Sequence, residues 1–201
     1  MLPALLAAAA LATPPKAPPV VIDGTVGKAE WAGARREKLT GGGEVRLLRS
    51  GSTLYVAVEG PATGFPTLCV ANGDRIKILH ASAALGEVVY TRKDGTWQRG
   101  KPFEWLLRDG PAPRPEAEKQ KFLADFGWLS TASNAGAPAR EFRIDLGPGK
   151  TTLGVAFLST DTMAASYGPS TMADGCRAQE LLRGDPPDTL TFEPAQWHPL
   201  E

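Results

Sequence analysis

The sequence predicts an all-β protein: a jelly-roll-like antiparallel β-sandwich of two sheets with one short helix. Three observations predict it. Many short segments alternate apolar and polar residues with a period of two, as strands with one buried face do. These segments follow one another at roughly ten-residue spacing, with turn residues between them. Glycine and proline are abundant, with 22 and 18 among 201 residues, which favours many turns and few long helices.

The first strands are predicted as a β-hairpin over residues 44–59. Apolar residues alternate with polar ones on both sides of the turn Ser50-Gly51, so one face of the hairpin is expected to be buried. A third strand is predicted over residues 74–81, where Ile76, Ile78 and His80 share one face.

A second hairpin is predicted from residues 87–92 and 96–98. Between them lies Asp94-Gly95, the preferred sequence for a tight hairpin turn because both central residues need a positive φ. A further strand is predicted over residues 103–107, because apolar residues alternate there again.

The period changes in residues 115–126, which are predicted to form the helix. Pro115 suits a first helical position, Gly127 suits a C-cap, and Phe122 and Phe126 lie at helical spacing. The alternative is an edge strand in which the same two phenylalanines share one face.

The strand pattern resumes over residues 141–146 and 153–157, joined by Gly147-Pro148-Gly149. Residues 159–188 are predicted as a long polar loop, and residues 189–193 as a closing strand.

The amino terminus predicts export to the periplasm or the extracellular space. Residues 1–12 form a short apolar segment that ends in Ala10-Leu11-Ala12, which is typical of a signal peptide and its cleavage site. Residues 13–20 are a proline-rich spacer, and residues 21–201 form one domain. The apolar segment is too short to span a bilayer comfortably. The alternative is a plain alanine-rich tail.

The two cysteines, Cys69 and Cys176, suggest a disulfide in an exported protein. The alternative is two buried free thiols. Zinc is not expected, because there is no CxxC motif and the histidines are His80 and His198 alone.

The charge balance excludes some classes of partner. Lys and Arg total 22, as do Asp and Glu, so the chain lacks the net positive charge that would attract a nucleic acid.

No GxSxG motif is present in the sequence. Acids such as Glu87, Glu104 and Glu141 could be paired for glycoside hydrolysis, but nothing selects them from the other acids. No catalytic residue, metal or cofactor is therefore predicted.

Five segments occur in an order that resembles the family 9 carbohydrate-binding module and its DOMON-like relatives. They are Ile22-Asp23-Gly24, Glu30-Trp31, and residues 54–58, 74–78 and 140–144. The resemblance implies an antiparallel β-sandwich that is not an enzyme. It also implies a ligand: characterised modules of this kind bind sugars between aromatic side chains, and some relatives bind haem. Here Ile144 is followed by Asp145 rather than by proline, and a shared fold does not carry the ligand with it.

Candidate ligand-binding residues surround the second predicted hairpin. Tyr90 and Trp97 could meet across its strands, beside Arg92. Aromatic faces stack on the C–H faces of sugars while neighbouring polar groups bind hydroxyls. The alternative is an aromatic pair that only stabilises the hairpin.

Trp105 and Trp128 are further candidates for a binding wall. Trp105 shares a predicted strand face with Phe103 and Leu107, which favours the core, whereas Trp128 precedes a loop of small residues and is expected to be exposed. Structural roles are expected for the other two tryptophans, which are Trp31, at the end of the sandwich, and Trp197, at the carboxyl terminus.

His80 allows one more hypothesis, a haem ligand opposite Met163 or Met172; the alternative is a hydrogen-bonded core histidine. The leading functional hypothesis is an exported, non-catalytic domain that binds a saccharide or related small ligand through exposed aromatic side chains. The alternatives are a cell-envelope interaction protein without a sugar site, and a haem binder.

Overall fold

A computed structural model describes residues 20–61, 63–101, 103–108, 114–131 and 139–200. These residues form two antiparallel sheets with one helix longer than seven residues, which confirms the predicted all-β sandwich. The predicted signal peptide, and all but the last residue of the predicted spacer, lie outside the described residues.

The described residues contain fourteen strands, which are β1 (Arg35–Lys38), β2 (Glu44–Ser50), β3 (Thr53–Glu59), β4 (Gly64–Asn72), β5 (Arg75–Ala81), β6 (Ala84–Lys93), β7 (Thr96–Arg99), β8 (Glu104–Arg108), β9 (Trp128–Ser130), β10 (Ala139–Asp145), β11 (Thr151–Ser159), β12 (Ala165–Gly168), β13 (Thr189–Leu190) and β14 (His198–Pro199). The first sheet has the order β1-β2-β3-β10-β9. The second has the order β12-β11-β4-β5-β6-β7-β13, with β14 paired to β11 and β8 paired to β6.

The main core lies between the two sheets. Alternate side chains of each strand face inward, so the first sheet contributes residues such as Val56 and Phe142, and the second contributes Leu68, Leu79 and Leu153. All five are at most 1% exposed. On β3 and β10, this burial follows from the period-two patterns that predicted those strands.

A second core lies on the outer face of the second sheet, which the carboxyl-terminal part of the chain covers. Cys176 and Phe192 pack there against Cys69, Ile78 and other residues of the sheet. Cys69 and Cys176 form the predicted disulfide, with Cα atoms 6.1 Å apart. Because 107 residues separate the two cysteines, the bond ties this covering segment to the middle of the sheet.

The predicted helix is confirmed as α1 (Glu116–Phe126), so the edge-strand alternative is wrong. Gly127 ends the helix in the left-handed conformation, with φ of 70°. Within the described residues, no helix is long and apolar enough to cross a membrane.

The prediction of a polar loop over residues 159–188 is wrong. This segment contains β12, a second helix, α2 (Gln179–Arg183), and one turn of 3-10 helix at Gly175–Arg177. Its apolar residues are few, but Met172, Leu181 and Leu182 are at most 2% exposed. The strand predicted over residues 189–193 is present only as β13.

Strand β4 was not predicted from the sequence. Both of its faces are buried, so its residues do not alternate between apolar and polar.

Removing the disulfide should lower stability strongly. In the chain-entropy model, a bond that closes a loop of 107 residues contributes about 4–5 kcal/mol. The double variant Cys69→Ala/Cys176→Ala should therefore lose about 4 kcal/mol of unfolding free energy, measured by urea denaturation. A reducing agent should destabilise the wild type and leave the double variant unchanged. A loss below about 1 kcal/mol would contradict this role.

Candidate functional site

Three of the five segments that carried the family resemblance meet at one buried carboxylate, that of Glu141 on β10. Its Oε2 accepts hydrogen bonds from the backbone N–H groups of Asp23 (3.1 Å) and Gly24 (2.7 Å), and its Oε1 accepts one from the Trp31 indole (3.0 Å). Burial raises the pKa of the Glu141 carboxyl, and the three donors offset part of that shift. Trp31 is 1% exposed, which agrees with its predicted structural role.

Trp128 is fully buried rather than exposed, so the expectation of a binding wall at this residue is wrong. Strand β9 pairs with β10, and the ring of Phe122 from α1 covers the indole at a centroid distance of 5.4 Å. The Trp128 indole donates to Glu87 Oε2 at 2.7 Å. Lys77 Nζ lies 3.3 Å from the same oxygen and donates to the carbonyl of Phe126 at 2.8 Å.

Trp197 makes a similar indole–carboxylate contact in the core on the outer face of the second sheet. Its indole donates to Asp174 Oδ2 at 2.7 Å, and the same carboxylate accepts from the backbone N–H groups of Glu193 and Cys176. Burial raises the pKa of Asp174. Asp174 thus stabilises a turn beside the disulfide, and Trp197 packs the carboxyl-terminal segment as predicted.

The predicted aromatic pair on the β6–β7 hairpin is also buried, so its expected exposure is wrong. Tyr90 is 0% and Trp97 is 5% exposed, because Phe192 of the carboxyl-terminal segment packs against both rings. The Tyr90 hydroxyl donates to the carbonyl of Pro187 at 2.5 Å, and burial raises the pKa of Tyr90 to about 12. Arg92 lies beside the Trp97 ring, 5.9 Å from its centroid, at the edge of this cluster.

Trp105 is 38% exposed, more than any other tryptophan, whereas its sequence pattern favoured the core. A register shift between Leu85 and Gly86 explains the difference. Trp105 pairs with Gly86 and lies, like Gly86, on the outer face of the second sheet. Leu107 pairs with Leu85 and lies, like Leu85, on the inner face. The shared face expected for Trp105 and Leu107 therefore does not exist.

His80 is a core histidine in a ring of aromatic side chains. Its Nδ1 lies 2.9 Å from Thr67 Oγ1, and burial lowers its pKa to about 4, so it is neutral near pH 7. The rings of Phe65, Phe103 and Trp105 have centroids 5.5–6.3 Å from that of His80. This packing favours the core interpretation over a haem ligand.

A groove of about 390 Å³ opens between the two sheets at the end of the sandwich where β10 passes into β11. We call it the inter-sheet groove. Its wall from the second sheet includes Val70, Asn72, Arg75 and Lys77 of β4 and β5. Thr151 of β11 also belongs to this second-sheet wall, and the opposite wall is formed by Gly127, Ile144, Asp145, Leu146, Gly147 and Pro148. Apolar groups make up most of the surface, and the polar groups lie mainly on the second-sheet side.

A smaller depression of about 180 Å³ adjoins the inter-sheet groove and shares Arg75 and Lys77 with it. The acidic residues Glu87, Glu104 and Asp125 line this depression and not the groove. Among the described residues, no three His, Cys, Asp or Glu side chains come together as a metal site.

Comparisons of the chain with protein-family models, with curated proteins and with solved structures find no match.

Sequence reasoning missed the inter-sheet groove, because its residues come from separate parts of the chain. Alternation in the third predicted strand places Arg75 and Lys77 on the face opposite Ile76, Ile78 and His80. The available signal was two cations in alternate positions on a strand whose other face is apolar, Ile76 and Ile78. Without knowledge of which face turns toward the partner sheet, that signal does not identify a groove.

Glu141→Gln should destabilise the protein by about 1–3 kcal/mol, because an amide has one acceptor oxygen and cannot satisfy all three donors. Urea denaturation measures the change. Glu116→Gln is the matched control, since this side chain is 70% exposed, and it should alter stability by less than about 0.5 kcal/mol. Equal effects of the two substitutions would contradict the role assigned to Glu141.

Proposed function

We propose that this chain is a non-catalytic binding domain that takes a small ligand in the inter-sheet groove and acts outside the cytoplasm. The observation that carries the proposal is a groove of about 390 Å³ with mainly apolar walls and a few polar groups on one side. Small-molecule sites have this character, with volumes of roughly 300–1,000 Å³, apolar linings and few orienting polar groups.

Action outside the cytoplasm is supported by the disulfide between Cys69 and Cys176. Such bonds persist in oxidising compartments and are rare in the cytosol of most organisms. The bond is also buried, since both cysteines are 0% exposed. These facts favour the predicted export and do not depend on the amino-terminal residues.

The position of the aromatic residues moves the proposed site away from the hairpin. Tyr90, Trp97 and Trp128 are at most 5% exposed, so they offer no face to a sugar. None of the described residues that line the groove is aromatic. We therefore propose recognition by apolar contact and a few polar groups, rather than by aromatic stacking.

A groove-filling variant tests the proposal. Leu146→Trp should place an indole in the inter-sheet groove, whereas Leu48→Trp places the same side chain on the outer face of the first sheet. The probe is the neutral fluorophore N-phenylnaphthylamine, whose emission rises in apolar surroundings. The wild type and Leu48→Trp should bind it saturably, and Leu146→Trp should bind it at least tenfold more weakly.

Unchanged binding by Leu146→Trp would contradict the groove as the site, provided that its near-ultraviolet circular dichroism shows a folded core. Absence of binding to the wild type would also count against the proposal and would favour the envelope interaction protein.

A second candidate function, saccharide binding, is favoured by the partial exposure of Trp105 on the outer face of the second sheet. Soluble glycans should then quench tryptophan fluorescence saturably, and Trp105→Phe should abolish the quenching while Trp97→Phe retains it. A flat response of the wild type across the glycan panel would contradict this candidate.

A further inference from the structure

The ionisable groups of the inter-sheet groove differ in the direction they face. Arg75 and Lys77 occupy alternate positions of β5, and Ile76 between them packs on the outer face of the second sheet. Both cationic side chains therefore lie on the inner face, toward the groove.

Asp145 also borders the groove, but its carboxylate lies on the other face of its strand. Its neighbour on β10, Ile144, lies in the core between the sheets. Because successive side chains of a strand point to opposite faces, the Asp145 side chain points to the outer face of the first sheet. There its Oδ1 accepts a hydrogen bond from Thr53 Oγ1 at 3.2 Å and lies 3.6 Å from an Arg143 nitrogen. Among the described residues that line the groove, the charged side chains that face it are thus both cations, Arg75 and Lys77.

The two cations are not equally available. Lys77 Nζ is held by Glu87 and by the carbonyl of Phe126. Arg75 is exposed at the rim, and among the described residues its guanidinium has no hydrogen-bond or ion-pair partner. A guanidinium in this state presents two parallel N–H donors, which match the oxygens of a carboxylate or phosphate.

We propose that the ligand of the inter-sheet groove is a small amphipathic anion, with an apolar body against Val70, Ile144 and Leu146 and an anionic head group paired with Arg75. This inference rests on the proposed binding function and adds the chemical class of the ligand to it. The volume of about 390 Å³ lies near the lower end of the range for small-molecule sites, roughly 300–1,000 Å³, which suits a short chain or a single ring rather than a long lipid.

Matched eight-carbon probes test the inference on the full chain by calorimetry at low salt. Octanoate and octyl phosphate carry an anionic head, and octanol carries none. The wild type should bind the anions about five- to tenfold more tightly than octanol, and added salt should reduce the difference because the rim is exposed. Whichever anion binds more tightly identifies the head group.

Substitutions then locate the anion contact. Arg75→Gln should remove the preference for anions while leaving octanol binding unchanged, and Arg75→Lys should retain part of the preference because it retains the charge. Arg36→Gln is the matched control, since it removes another exposed arginine, on β1 of the first sheet, and it should behave like the wild type.

The possible failures are distinguishable. Equal affinities for octanol and the anions, with weaker binding by Leu146→Trp, would overturn the anionic ligand and leave the groove as a binding site. A preference that persists in Arg75→Gln would overturn the role of Arg75. No binding of any of the three probes would overturn both this inference and the proposed function.

Discussion

The fold depends on the buried carboxylate of Glu141. A carboxylate loses its hydration on burial, and this cost is tolerable only when donors replace the water. Here the donors are the backbone N–H groups of Asp23 and Gly24 and the indole N–H of Trp31. These hydrogen bonds hold the amino-terminal segment against the first sheet. Asp174 holds the carboxyl-terminal segment over the second sheet in the same way.

These buried contacts limit the number of aromatic side chains that are exposed to a ligand. Trp31, Trp128 and Trp197 each donate to a buried or partly buried carboxylate, and Trp97 lies beneath the segment that the disulfide and Asp174 hold in place. The tryptophans therefore act mainly as structural residues. A groove lies instead at the end of the sandwich, where residues between β10 and β11 form part of its lining.

The hairpins and the helix could be predicted because alternation, turn residues and capping residues are visible within short segments of sequence. The disulfide could be predicted because the chain has two cysteines. Strand β4 escaped prediction because both of its faces are buried and it carries no alternation. The burial of Trp97 and Trp128 escaped for a different reason: Phe192 and Phe122, which cover them, belong to distant or separately folded elements. The groove likewise depends on which face of β5 turns inward, and no short segment encodes that.

We propose that the ligand lies between the sheets rather than on an aromatic surface. Amide chemical-shift mapping by NMR during titration with octanoate tests it most directly. We expect the largest shifts to cluster at Val70, Arg75, Ile144 and Leu146, while the amides around Trp105 remain unchanged. Shifts centred on Trp105, or spread evenly over the surface, would contradict it.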